Sequence, residues 1–133
     1  ARPAPAEPAA PPLPRPGPER ARVLEERRVR AAEEAVAASL EAFNLSGYPR
    51  TLAGISRTLG RPRVSVVPLT GTRPDVVITV AWDISWYQFR VDAAAAPPVR
   101  LTAKGDDAED ELERRWLDWN ARSDGEGLLA IGA

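Results

Sequence analysis

The chain contains no histidine and no cysteine. The usual general base near neutral pH, the commonest transition-metal ligand and the most reactive nucleophile are therefore missing from its chemistry. What remains for acid and base work is a set of carboxylates and phenols, Asp83, Asp92 and Asp118 with Tyr48 and Tyr87. A carboxyl becomes useful near neutrality when apolar surroundings raise its pKa. Asp83, between Trp82 and the pair Ile84 and Trp86, is the one position where such surroundings are expected, although an aspartate at a strand bend more commonly bonds its own backbone. The sequence has no glycine-rich phosphate loop and no G-x-S-x-G elbow. No catalytic residue is assigned, and the balance falls against an enzyme.

Three other groupings could bind rather than react. Arg57, Arg61, Arg63 and Arg73 are expected near one end of a sheet, where they would make a weak anion or nucleic-acid patch. Arginine is a poor witness here, because Lys104 is the only lysine and the abundance of Arg, Ala and Pro is the bias that a GC-rich bacterial genome imposes. Nucleic acid is accordingly the less favoured partner. The run Asp106, Asp107, Glu109, Asp110, Glu111 and Glu113 lacks the glycine that a calcium loop needs at its sixth position, and reads as the acidic start of a helix. Neither a metal nor a cofactor is expected.

The third grouping is Trp86, Gln88 and Arg90, at alternate positions of a strand-like run. Val76, Ile78, Val80 and Trp82 share one face before Asp83, whereas Tyr87, Phe89 and Val91 form the apolar set after it, so the parity switches. Asp83-Ile84-Ser85 lacks the Gly or Asn of a tight hairpin, which favours a bulge over a reversal. With both apolar sets inward, Trp86, Gln88 and Arg90 point outward, an aromatic beside a guanidinium as at protein interfaces. The competing arrangement is a hairpin that puts Trp82 and Trp86 together in the core. A third option lines a small-ligand pocket with the rings of Trp82, Trp86, Tyr87, Phe89, Trp116 and Trp119.

The elements that must position these residues follow from periodicity. Residues 1 to 18 hold eight of the fourteen prolines, which makes them a disordered Pro/Ala-rich arm. From Glu19 to Ser46 there is no Gly or Pro, and Val29, Ala32, Val36, Leu40 and Phe43 recur every three or four residues, so a long amphipathic helix is predicted. A second helix is predicted from Arg50 to Leu59, ending at Gly60. The period then changes to two, with strands expected over 64–69, 76–82, 86–91 and 99–103. Asp106 with Glu109 looks like a capping box, and Ala108, Leu112, Trp116 and Trp119 fall on one helical stripe that would face the sheet. Leu128 to Ile131 would dock as an edge strand or hang free.

The predicted fold is thus α+β, with two N-terminal helices, a curved antiparallel sheet of three or four strands and a C-terminal helix packed on it. Residues 19–133 would form one domain. Charge is unevenly spread: residues 47 to 104 carry eight bases against three acids, and residues 105 to 133 carry three against nine, so the two segments are expected to pack together. No apolar run is long enough to insert in a membrane, and solubility is expected. The function expected is a non-enzymatic interaction or assembly module, tethered by the arm to a membrane, an envelope or a larger protein, with a protein as partner. The alternatives are a small-ligand pocket or enzyme of a curved-sheet fold, and anion or nucleic-acid binding through the arginines.

Overall fold

The computed structural model describes residues 17–71 and 73–132. Helix α1 (Pro18–Leu45) and helix α2 (Tyr48–Leu59) precede four strands, β1 (Arg63–Pro68), β2 (Val76–Ala81), β3 (Trp86–Val91) and β4 (Val99–Gly105). The single-turn helix α3 (Ala108–Glu111), a 3-10 turn at Arg114–Trp116 and strands β5 (Ala121–Ser123) and β6 (Leu129–Ile131) complete the chain. All neighbours in the six-stranded sheet, ordered β4-β3-β2-β1-β5-β6, are antiparallel. The α+β class stands; the strand count and the C-terminal helix are corrected.

Both long helices cover one face of the sheet. Phe43 and Leu52, fully buried, meet Val64 and Val66 of β1, Val76, Ile78 and Val80 of β2, and Phe89 and Val91 of β3. Alternation along each strand delivers these residues to one side. The rings of Phe43, Tyr48 and Phe89 interlock with centroids 4.7 to 6.2 Å apart, close enough for edge and offset contacts. The Trp82 indole N–H donates to the Gly60 carbonyl at 2.9 Å, which ties the end of α2 to the β2–β3 turn.

That turn is a reversal, not the bulge favoured by the sequence. The Trp82 N–H donates to the Ser85 carbonyl at 2.7 Å and Ala81 pairs with Trp86. Asp83 and Ile84 form its tip without positive φ, so neither Gly nor Asn is required. Asp83 is exposed there, not enclosed by the rings around it in sequence.

The predicted C-terminal helix stops after one turn. Asp107, rather than Asp106, caps α3, accepting from the Asp110 N–H. Beyond Glu111 the chain leaves the helix because the sheet offers its polar groups fixed partners. The Asp118 N–H donates to Ser65 Oγ at 3.0 Å. The Asn120 amide accepts from the Val66 N–H at 2.7 Å and donates to the Val66 carbonyl at 2.8 Å. Asn120 therefore replaces a neighbouring strand where β1 pairs with β5 only at Val64 and Ala121. Ser39, Thr79 and Ser123 are also buried, and Thr79 Oγ1 accepts from the Gln88 amide at 3.1 Å.

Candidate interaction surfaces

Trp86, Gln88 and Arg90 do share the sheet face turned away from the helices, because Trp86 pairs with Ala81 and Arg90 with Val77. That face is not bare. Residues 106–119 fold over its Trp86 end, and Ala81, Trp86 and Ala108 form a second apolar cluster packed against Ala103, Leu112, Leu117 and Trp119. Trp86 is only 5% exposed, which corrects the outward ring expected from the sequence. The hairpin alternative holds in its reversal and in the burial of both tryptophans, but not in setting them together, since Trp82 and Trp86 lie on opposite faces, in separate clusters. Gln88 is half-buried, and exposed Arg90 pairs with Asp75 at 2.8 Å. Trp119 joins the second cluster, as its stripe implied, but with φ of 49° in a non-helical segment. Trp116 is half-buried with the Arg115 guanidinium 4.4 Å above its ring.

A carboxylate closes this cover. Glu111 Oε2 accepts from the Trp86 indole at 2.9 Å, and the backbone N–H groups of Asp106 and Asp107 also donate to Glu111. The indole bond foremost, with those two amides, holds the Glu111 carboxyl below its ordinary range against a smaller opposing effect of desolvation. Gly105 lies beneath, where an added Cβ would come within 2.5 Å of both Glu111 Oε2 and the Trp86 indole nitrogen. Four of the six acids in the run thus take part in structural bonds: Glu111 here, Asp107 as the cap, Glu109 in an ion pair with Arg63, and Glu113 in one with Arg115. No cluster that could hold a metal ion is formed among the described residues.

The four arginines do not converge. Arg63 begins β1 and Arg73 lies in the loop after its far end, about 20 Å of strand away at 3.3 Å per residue. Arg63 is engaged by Glu109 and sits 4.4 Å over the Trp119 ring. This is one point where the basic middle and the acidic end of the chain meet. Arg57 and Arg61 are exposed near the end of α2.

The surface left without a partner among the described residues belongs to α1. Residues 17 to 30 are exposed all round, whereas Ser39 and Phe43 are buried against the sheet. Thirteen residues from Pro18 to Arg30 span about 20 Å at 1.5 Å per residue. Where α1 passes the sheet edge it borders an open groove of about 430 Å³. One wall is Ala32, Val36, Ala37 and Leu40, the other Pro68 and Ile131, with Glu33 at the rim. Val29, 48% exposed, extends this stripe along the free half of the helix. Charge divides at the same place. Residues 18–30 carry five arginines against Glu19, Glu25 and Glu26, and residues 31–45 carry Glu33, Glu34 and Glu41 with no base.

The periodicity that puts Val29 on one helix face with Phe43 reports a face and not how far along it the sheet reaches. Asn44, near the end of α1, is a second feature that periodicity does not announce. Its amide in fact accepts from the Leu129 N–H at 2.8 Å and donates to the Leu129 carbonyl at 3.0 Å, occupying edge strand β6 as Asn120 occupies β1. No helix among the described residues is long and apolar enough to cross a membrane. The expected arm falls on residues 1–16, outside the described residues, apart from Gly17 and Pro18, where α1 starts. Comparison with protein-family models, curated proteins and solved structures finds no match.

Proposed function

We propose that this chain is a non-enzymatic interaction or assembly module, and that it engages a protein partner through α1 and the groove beside it rather than through Trp86. One observation carries the reading: half of a 28-residue helix extends past the sheet while its apolar stripe continues into an open groove. A helical segment of about a dozen residues is marginal by itself in water, so a projecting one gains order from whatever packs on it. Large apolar grooves flanked by charge mark protein contacts more often than chance. The Pro/Ala-rich sequence that leads into the free end of α1 fits a tether in this arrangement.

The candidates for chemistry support no rival of equal weight. Asp83 and Asp92 lie in exposed turns, and Asp92 accepts from the Ala94 N–H at 3.0 Å. Tyr48 packs on the helix-side core. A photoreactive residue at position 29 or 131, introduced into the chain in its native source, should yield a discrete protein adduct, whereas one at exposed Thr102 on β4 should not. Adducts at 102 and none at 29 or 131 would move the surface to the opposite edge of the sheet.

A further inference from the structure

We infer that residues 106–119 form a strap that lifts off the sheet as a unit while the helix-side core stays closed. The inference goes beyond the α1 reading and concerns the opposite face of the sheet. Between Gly105, where β4 ends, and Ala121, where β5 begins, the chain crosses that face without joining the sheet. Among the described residues its backbone hydrogen bonds close within the segment, in α3 and the 3-10 turn. The exception is the Asp118 N–H, donated to Ser65 Oγ. Otherwise side chains fasten the strap: Glu111 to the Trp86 indole, and both Glu109 and the Trp119 ring to the single guanidinium of Arg63. Arg63 pairs with Ala81 across the strands, so the two share a face and that guanidinium rises beside the covered cluster.

These fasteners hold a segment that buries little of itself. In the strap only Ala108 is buried, Leu112, Trp116, Leu117 and Trp119 are half-buried, and the rest is exposed. Beneath it the cover is nearly complete, with Ser65 and Ala81 no more than 1% exposed. A segment with few buried apolar contacts opens at lower cost than the core it lies on. Strain works in the same direction. Trp119 holds φ of 49°, in the left-handed region that a bulky side chain adopts only under constraint, and that constraint ends when Arg63 lets go. On the helix side, Phe43, Ile78 and Phe89 belong to one contiguous core to which the strap contributes no residue. Lifting therefore bares Trp86, Ala81 and Ser65 while β1, β2 and β3 stay paired.

The chain has no cysteine, so a single introduced thiol reports its own site. Ala81→Cys and Ser65→Cys put it under the strap, near Ala108 and near Asp118 respectively. Val80→Cys puts it on the other face, in the helix-side core. Each variant of the full chain is checked by urea melt for retained fold, and Ser65→Cys, which only exchanges oxygen for sulfur, keeps the test available if the added sulfur at 81 disturbs packing. In native buffer, dithionitrobenzoate should label positions 81 and 65 on the order of 100-fold faster than position 80, with rates that rise little in urea below the unfolding transition. Arg63→Ala, which removes two fasteners at once, should speed labelling at 81 and 65 by roughly fivefold or more, with a smaller effect at 80. Rates at 81 and 65 that match the rate at 80, or that climb with urea as steeply as global unfolding does, overturn the inference. So does fast labelling at only one of the two covered positions in folded variants, or labelling that Arg63→Ala leaves unmoved.

Discussion

Glu111 collects three donors on one carboxylate, and the cover over Trp86 depends on its charge. Its pKa in the folded chain lies below the ordinary value near 4.5. A depressed carboxylate contributes stability that is fully present above the ordinary value and is lost as pH falls toward the folded one. The melting temperature of the native chain should therefore exceed that of Glu111→Gln by a constant margin above about pH 5.5, and the margin should shrink on acidification. A margin that grows at low pH would contradict the clasp. Trp86→Ala should cost about 3 to 5 kcal/mol in a denaturant melt, as for other buried tryptophans, whereas an outward ring would cost little. Gly105→Ala should cost about 1 to 3 kcal/mol by forcing the indole and the carboxylate apart. Nothing in the local sequence announces this clasp, because its parts come from β3 and α3 and meet only once the chain has turned at Gly105.

Elements with strong internal periodicity were legible, and those fixed by distant partners were not. The two long helices and strands β1 to β4 declare themselves through spacings of three to four and of two, within a residue or two of their observed ends. The segment from Asp106 onward has an equally good helical stripe and abandons it. Side chains of Ser65 and Asn120, with the backbone of Val66, offer bonds that a continued helix would forgo. Asn120→Ala should strand both backbone groups of Val66 and cost about 1 to 3 kcal/mol, read from urea midpoints. Leu at the same position would serve as a bulkier control with the same polar loss. In α1 the opposite holds: Arg28→Pro should melt the turns before it, lowering the helical circular dichroism signal. Measured on the dilute chain, its denaturant midpoint should stay within about 0.5 kcal/mol of the native one, since the free half contributes no core contact.

At the scale of the molecule, both edges of the sheet are defended and the helix is not. Asn44 occupies the outward groups of Leu129 on β6. On β4, a register shift opposite Gln88 and Phe89 and the exposed charges of Arg100 and Lys104 discourage strand addition. The face of the sheet away from the helices is partly roofed by residues 106–119. What these features leave open is the surface proposed for docking, the free half of α1 and the apolar groove beside it. Amide hydrogen exchange along α1 of the isolated protein tests this division most directly, since exchange reads local opening residue by residue. Amides 20–30 should exchange far faster than those of residues 40–45, where α1 packs on the sheet. Equal protection along the whole helix would contradict the account.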